Sequence, residues 1–302
     1  MPGRALICVD VDAVAGWLGS YGGEDSPGDV SRGMWAGEVG IPRLLALFKK
    51  FGITTTWYVP GHSLDTFPDE MAAVRDAGHE IGLHGYSHEN PTALSIEQQR
   101  DILEHTFDQV TQFLGKPPQG SVAPWWEASA EGIDLLLEKG ITYDHSFQHR
   151  DSEAYYLRSG DSWTNIDYSK DAKSWMVPVQ RGTPTGLVEI AVNWDLDDLP
   201  PMMFMKGAKS TQGFVDAHVI EQKWKDWFEY LWENEREKGF IMPITVHPDV
   251  SGRPHVLKML ERFITWVNTH KGVEWVTMLE IADDFRKNNP APKDAKMPKG
   301  FK

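Results

Sequence analysis

The sequence has a single cysteine among 302 residues. Cys8 therefore cannot form a disulfide within the chain, and its place in the apolar run 5–9 predicts a small buried side chain. The sequence also lacks any run of about 20 apolar residues, which a membrane-spanning helix needs. No charged and then apolar leader precedes the first predicted strand. We therefore expect a cytoplasmic protein without a membrane partner.

Basic residues are scarce relative to acidic ones. The chain has 30 lysines and arginines against 44 aspartates and glutamates, and its formal net charge is −14. A surface of this sign repels nucleic acids and anionic membranes, so neither is expected as a partner. The same charge agrees with a small neutral or cationic substrate, or simply with a well-solvated acidic surface.

The sequence does have a regular alternation of strand-like and helix-like segments, which is typical of a parallel α/β architecture. The predicted strands are 6–10, 54–59, 80–83, 120–123, 142–145, 188–192 and 240–246, with a further short one at 273–276. The predicted helices are 41–51, 67–77, 96–114, 129–139, 219–237, 255–269 and 279–287. We predict a single domain over 1–287, a distorted (β/α) barrel of about seven parallel strands with long loop insertions, and a C-terminal tail over 288–302.

Three long segments without clear periodicity interrupt this alternation. They are 13–40, 147–186 and 195–216. Loops of this length in a compact domain usually serve a functional site or an assembly interface. The first directly follows Asp12, so we expect it to cover the mouth of a site there.

Two acidic residues end the first predicted strand. Asp10 and Asp12 are two residues apart, so in an extended chain both side chains leave the same face and can enter one pocket. His84 and His88 follow the third predicted strand and can converge on one ion. Two imidazoles and one carboxylate form the ligand set of an open catalytic zinc site or a similar divalent site. The other aspartate is left free as a general base toward water, which predicts metal-assisted hydrolysis.

Two other classes of protein use related ligand sets. Non-haem iron oxygenases bind iron through two histidines and a carboxylate, but Asp10 and His247 would have no role in that chemistry. A structural zinc site normally closes with four protein ligands, whereas only three are evident in the sequence. A hydrolase is therefore preferred over an oxygenase and over a binding protein with a structural metal.

Further candidate residues follow other predicted strands. His247 ends the apolar run 240–246, where a general acid could protonate the leaving nitrogen of an amide. Trp125 and Trp126 follow the fourth strand and are expected to form a wall of the pocket. Glu127 either binds a polar group of the substrate or caps the next helix.

Three of these stretches resemble motifs of the polysaccharide deacetylase (NodB-homology) family. Asp10-Val11-Asp12 is similar to the first motif, His84-Gly85-Tyr86-Ser87-His88 to the H-x-x-x-H motif, and Thr245-Val246-His247-Pro248-Asp249 to the last. The resemblance covers almost the whole chain. It is closer still to an atypical branch of peptidoglycan deacetylases, allantoinase-like enzymes and cyclic imide hydrolases, through the stretches 12–21, 123–127 and 197–203.

The resemblance implies a role for each motif residue. Asp12, His84 and His88 would hold one divalent ion, with Zn²⁺ expected first and Co²⁺, Mn²⁺ and Ni²⁺ as alternatives. Asp10 would act as the catalytic base and His247 as the general acid. The implied reaction is hydrolysis of a carbon–nitrogen amide bond that is not a peptide bond. The substrate would be an N-acetylated sugar of peptidoglycan or chitin or, as the alternative, a small cyclic imide or ureide.

Two departures from the family pattern concern the substrate side. The third motif normally has an arginine that orients the base, but 121–126 has none. In this stretch the resemblance implies that the backbone N–H of Trp125 stabilises the oxyanion. The fourth motif, an acidic residue that tethers the catalytic histidine, has only a near match in 193–198. The resemblance also implies a homo-oligomer, with a tetramer among its forms and with the insertions at its interfaces.

Overall fold

The computed structural model describes residues 3–22, 26–206 and 211–300 of the chain. Within these ranges the centre of the molecule is one sheet of nine strands in the order β6-β7-β5-β4-β3-β2-β1-β8, with β9 also paired to β1. The strands are β1 (Gly3–Asp10), β2 (Thr56–Val59), β3 (Glu80–Leu83), β4 (Gly120–Ser121), β5 (Tyr143–Asp144), β6 (Ala154–Ser159), β7 (Thr183–Ile190), β8 (Phe240–Val246) and β9 (Val273–Trp275). All pairs are parallel except β6 with β7.

Twelve α-helices accompany the sheet in the described part of the chain. They are α1 (Ala13–Gly19), α2 (Pro27–Trp35), α3 (Ile41–Phe51), α4 (Gly61–Thr66), α5 (Pro68–Asp76), α6 (Ile96–Leu114), α7 (Gly132–Lys139), α8 (Leu199–Met202), α9 (Ala217–Asn234), α10 (Pro248–Ser251), α11 (Pro254–Val267) and α12 (Met278–Asn288). In these same ranges, none of the helices has the length and apolar character needed to cross a bilayer.

The position of β1 inside the sheet explains why residues 5–9 are all apolar. Leu6 and Cys8 pack with Tyr58 in one buried cluster. Ile7 and Val9 belong to a second buried cluster, which includes side chains of the surrounding helices. Because successive side chains of a strand point to opposite faces, both faces of β1 are covered, as is usual in a parallel sheet.

The sheet curls until its two edges approach each other. The backbone N–H of Ile241 in β8 donates a hydrogen bond of 2.8 Å to the carbonyl of Ser152, just before β6. The predicted α/β barrel is therefore confirmed, but it has nine strands instead of about seven. The strand that the sequence did not predict is β6, which lies inside 147–186 and pairs antiparallel with β7.

The segment 13–40 is also more regular than predicted. It contains α1, α2 and a π-helical turn (Ala36–Gly40) that leads into α3. Helix α2 begins with Pro27 in its first turn, and the Ser26 side chain accepts a hydrogen bond from the backbone N–H of Asp29. Both α1 and α2 are too short for helical periodicity to reveal them. Residues 23–25 of this segment, and 207–210 of the segment 195–216, lie outside the described residues.

The part of the predicted tail that is described lies against the barrel. The backbone N–H of Lys296 donates to Pro184, and Gly186 donates back to Lys296, at 3.0 and 2.8 Å. The backbone N–H of Lys299 donates to Leu137 at the end of α7 at 2.8 Å. The described residues after α12 therefore run alongside the start of β7.

Candidate active site

The sequence-predicted polar residues meet at the carboxyl edge of the parallel strands. Asp10 is the last residue of β1, His84 follows β3 directly, and His247 follows β8 directly. All three are buried, as are Asp12 and His88. Barrels of this type place their active sites at this edge, because the loops that follow the strands converge there.

Asp12, His84 and His88 form a tight group of donor atoms. One ligand atom from each residue lies within 4.8 Å of the other two. The Nε2 atom of His84 is 3.2 Å from Oδ1 of Asp12, and the Nε2 atom of His88 is 3.2 Å from Oδ2 of the same carboxylate. Gly85 has a positive φ of 63°, which lets the chain turn sharply between the two histidines.

The position of the proton on His84 follows from its other nitrogen. Nδ1 lies 2.9 Å from the backbone oxygen of Val122, which can only accept a hydrogen bond. Nδ1 must therefore carry the hydrogen, and the neutral ring has its lone pair on Nε2, facing Asp12. This arrangement is the one in which a histidine binds a metal.

The donor atoms of this group are arranged as they would be around a bound cation. Oδ1 of Asp12, Nε2 of His84 and Oδ1 of Asp10 are buried and have no hydrogen-bond partner among the described residues. A buried polar atom without a partner costs about 1–3 kcal/mol. A divalent cation held by one carboxylate oxygen and two imidazole nitrogens would satisfy such atoms, and this donor set suits Zn²⁺ and related ions.

The electrostatics of the group suit the same use. Burial lowers the pKa of His88 to about 3, so this imidazole is neutral at neutral pH. Burial opposes a charge on Asp12, but the neighbouring His88 and His84 hold the pKa of Asp12 well below its usual value. Burial raises the pKa of Asp10 to about 6, against the opposing effect of His84. Asp12 is therefore the permanently charged carboxylate and Asp10 the one that can gain or lose a proton.

His247 is held by an aspartate that the sequence located only as a near match. Its Nδ1 lies 2.7 Å from Oδ1 of Asp198, and its backbone N–H donates to the same carboxylate at 3.1 Å. The Ser251 hydroxyl donates to Asp198 as well. Burial disfavours a charge on His247, but Asp197 and Asp198 together raise the pKa of His247 well above its usual value. A protonated imidazole at this position suits a general acid.

Asp197, Asp198 and His247 also bring three donor atoms within 4.8 Å of one another. This second group differs from the first, because its members already have partners. Oδ1 of Asp197 accepts the backbone N–H of Leu199 at 2.7 Å, and Asp198 is bonded to His247. We therefore assign Asp198 to holding His247, with Asp197 as a nearby carboxylate 3.7 Å from Nδ1 of the ring.

The buried residues line a narrow pocket with aromatic walls. Its volume is about 30 Å³, and Tyr21, Trp125, Trp126 and Trp194 line it beside the polar group. The backbones of Trp125 and Trp126 have positive φ values of 58° and 51°, an uncommon conformation for such bulky residues. The rings of Trp126 and Trp194 lie 4.3 Å apart between centroids. The two predicted tryptophans are thus brought to the pocket.

The structure bears on two features of the substrate side, the position of Glu127 and the surroundings of Asp10. Glu127 is exposed and is not among the residues that line the pocket. Asp10 forms no ion pair with an arginine or lysine in the part of the chain that the structure describes. Nε2 of His84 lies 3.9 Å from Oδ2 of Asp10. Among the described residues, no lysine or arginine thus takes the place of the arginine that the third motif lacks.

The sequence did not single out Ser20, Tyr21 and Trp194 individually. Ser20 contacts His88, Tyr21 contacts Asp12, and Trp194 lines the pocket. Each lies in a stretch that was noted only as a block, 12–21 or 193–198. The available signal was their position in loops that follow strands, which does not identify single residues.

Comparison with known proteins agrees with this geometry. Residues 32–154 match the family model described as polysaccharide deacetylase. A peptidoglycan deacetylase from Helicobacter pylori is 56% identical over 286 residues, covering 94% of this chain and 97% of that protein. A peptidoglycan deacetylase-like protein from Gibberella zeae is 40% identical over 299 residues, covering 96% of this chain and 88% of that protein.

Solved structures show the same fold. A candidate polysaccharide deacetylase from Mycobacterium smegmatis has a TM-score of 0.81 and 28% identity, covering 96% of this chain and 92% of that one. An allantoinase has a TM-score of 0.77 and 21% identity, covering 95% of this chain and 91% of that one, and shows the fold alone. With the motif residues assembled at one pocket and relatives matched along nearly their whole length, this chain belongs to the polysaccharide deacetylase family.

Proposed function

We propose that the protein is a metal-dependent deacetylase, which hydrolyses the carbon–nitrogen amide bond of an N-acetyl group on a sugar of peptidoglycan or a related polymer. The observation that carries this proposal is the convergence of Asp12, His84 and His88 beside Asp10 and His247 in one buried pocket. The names of the two most similar relatives described above supply the substrate class.

Asp12, His84 and His88 would hold the ion through one oxygen and two nitrogens. A bound divalent cation supplies a Lewis acid that polarises the carbonyl group of the substrate. Zn²⁺ is the first expectation, and Co²⁺, Mn²⁺ and Ni²⁺ use similar donors.

The remaining steps belong to the side chains of the protein. Asp10, with its pKa raised to about 6, is mostly ionised at pH 7 and removes a proton from the attacking water. The backbone N–H of Trp125 stabilises the oxygen of the tetrahedral intermediate. His247, held on Asp198, donates its proton to the departing nitrogen, which is needed because an amide anion is a very poor leaving group.

Acetate release from N-acetylglucosamine oligomers tests this proposal. The metal-loaded wild type should release acetate, and Asp10→Asn and His247→Ala should each lower kcat by about 10²-fold or more. Asp69→Asn is a matched control, since Asp69 is exposed at the start of α5. Full activity in Asp10→Asn would refute the assignment of the base.

A second candidate function is ring-opening hydrolysis of a small cyclic imide or ureide. The aromatic walls that narrow the pocket on the substrate side favour it. A polymer needs an open groove beside the reacting bond, whereas a single ring can be enclosed. The same catalytic residues would serve, because the bond that is cleaved in an imide is also a carbon–nitrogen bond of the amide type.

A further inference from the structure

The end of helix α1 reaches two of the three proposed metal ligands. Helix α1 starts directly after Asp12, and the chain then turns back so that Ser20 and Tyr21 approach the pocket. The Ser20 hydroxyl contacts His88, and the Tyr21 hydroxyl donates to Asp12. Neither residue is a proposed ligand or a proton-transfer group.

The contacts of Ser20 determine which nitrogen of His88 carries the hydrogen. Oγ of Ser20 donates a hydrogen bond of 2.6 Å to the backbone oxygen of His88, and it also lies 2.6 Å from Nδ1 of the ring. A hydroxyl has one hydrogen to donate, and the carbonyl oxygen uses it. Nδ1 must therefore donate its own hydrogen to Oγ. The lone pair of the neutral ring is then on Nε2, facing Asp12.

Tyr21 determines which oxygen of Asp12 remains available. Its hydroxyl donates to Oδ2, whereas Oδ1 has no hydrogen-bond partner among the described residues. The Tyr21 ring is buried and lies edge-on to Trp17, with 5.3 Å between centroids. This packing fixes the position of the hydroxyl.

The close approach of α1 requires a glycine. A Cβ atom at Gly19 would lie 2.0 Å from the backbone oxygen of Ser87 and 2.5 Å from that of His88. Any other residue would push the end of α1 away from the histidine. His88 itself has a positive φ of 58°, and the Ser20 hydroxyl holds its carbonyl in that conformation.

We propose that Gly19, Ser20 and Tyr21 form a positioning segment for the metal site, here called the α1 clamp. The clamp presents Nε2 of His88 and Oδ1 of Asp12 to the cation, and so raises the affinity of the site for it. This inference rests on the proposed function, because it requires that Asp12 and His88 bind a metal. Groups that hold metal ligands in this way typically change metal affinity by about 10–100-fold when they are removed.

The test is the dissociation constant for Zn²⁺, measured by competition with a chromophoric chelator. Tyr21→Phe keeps the ring and removes the hydroxyl, and Ser20→Ala removes the other hydroxyl. Each should weaken Zn²⁺ binding by about 10–100-fold. Ser20→Thr restores a hydroxyl and should recover most of the affinity.

The chain offers a matched control for each variant. Tyr143→Phe also removes a buried hydroxyl that donates to a carboxylate, that of Glu80 at the opposite end of β3 from His84, and neither residue lines the pocket. Ser159→Ala removes a buried hydroxyl that donates to Asp134. Both should bind Zn²⁺ as tightly as the wild type. With Co²⁺ in place of Zn²⁺, the visible absorption bands should change in Tyr21→Phe and Ser20→Ala and stay unchanged in the controls.

The outcomes separate the two proposals. Wild-type affinity and wild-type Co²⁺ spectra in both Tyr21→Phe and Ser20→Ala would overturn the α1 clamp and leave the proposed function intact. A wild type that binds neither ion would overturn the proposed function, and the clamp with it. Should Tyr21→Phe fail to fold by circular dichroism, the Ser20→Ala and Ser20→Thr pair decides alone, since Ser20 is only half-buried.

Discussion

Nδ1 of His247 lies 2.7 Å from Oδ1 of Asp198, a residue 49 positions earlier in the chain. A carboxylate can only accept, so the hydrogen of this bond belongs to Nδ1, and Nε2 faces the pocket, 3.6 Å from Oδ2 of Asp12. Asp198 therefore holds His247 in the way that the acidic residue of the fourth motif is expected to do. The Asp198 carboxylate accepts hydrogen bonds from both the backbone N–H and Nδ1 of His247, and these contacts fix both the orientation and the charge of the ring.

Replacing Asp198 by asparagine should remove this support without touching the ion. We expect kcat for Asp198→Asn to fall by about 10²-fold, since the general acid loses both charge and alignment. The bound metal, measured by elemental analysis, should match the wild type. Asp195→Asn changes an exposed aspartate in the same loop and should keep full activity. An unchanged kcat in Asp198→Asn would show that Asp198 does not support the acid.

The site residues that directly follow a long apolar strand could be predicted from the sequence. The apolar runs of β1 and β8 stop at the end of each strand, and the polar residues Asp10 and His247 come directly after them, with Asp12 two positions after Asp10. The contacts of Ser20 with His88 and of Asp198 with His247 could not be predicted, because they join parts of the chain 68 and 49 residues apart.

The long strands and helices were predictable for the same reason, whereas the prediction failed for the short elements. Strands β4 and β5 have two residues each, so the predicted lengths were too long. Strand β6 is short and lies inside a long segment without clear periodicity, so its pairing with β7 could not be read from the sequence. Helix α2 is capped by the Ser26 side chain, and α1 and α2 pack against each other, so both are stabilised by features that periodicity does not show.

Asp144 should make the stability of the fold depend on pH. Burial raises the pKa of Asp144 to about 6 in the folded protein, from an ordinary value of 3.8. The folded state therefore binds more protons than the unfolded state between these values, and the free energy of unfolding falls as the pH rises through them. Asp144→Asn should remove up to about 3 kcal/mol of this decrease, because one pKa unit corresponds to about 1.4 kcal/mol.

Urea unfolding of the metal-free protein at pH 4 and pH 6.5 measures this effect. Between these pH values the wild type should lose stability relative to Asp144→Asn, by up to about 3 kcal/mol. The asparagine can still accept the hydrogen bond from Ser121. An equal difference in both proteins would contradict the assignment.

A homo-oligomer remains a prediction for this chain. Trp17 and Met203, two of the apolar residues in the insertions, are buried within their own chain, but Leu18 and Phe204 are 40% and 44% exposed. Phe214 is 82% exposed and stacks on Phe204. Exposed apolar groups of this kind usually mark interfaces. Light scattering should therefore give a multiple of the 34.2 kDa chain mass.

A single substitution should locate that interface. Phe214→Ser should shift the mass toward one chain, whereas Tyr230→Ser, which changes an exposed aromatic residue on α9, should not. A wild type with the mass of one chain would refute the oligomer. The predicted cytoplasmic location and the exclusion of nucleic acid and membrane partners also remain predictions.

The two candidate substrate classes differ in what the pocket must admit. If the enzyme acts on small imides, as the second candidate function requires, kcat/KM should be higher for a five-membered cyclic imide than for a short chitin oligomer. A tenfold preference for the oligomer is equivalent to about 1.4 kcal/mol of transition-state stabilisation. It would show that the pocket admits polymers and that the enzyme acts on N-acetylated sugars.

Metal content is the most direct test of the whole account. Wild type and Asp10→Asn, each dialysed against limiting Zn²⁺, should retain about one ion per chain, because Asp10 is the base and not a ligand. His84→Ala should lose most of its metal, and His105→Ala, which removes an exposed histidine, should lose none. Equal metal content in His84→Ala and the wild type would contradict the assignment of the metal site, and with it the proposed mechanism.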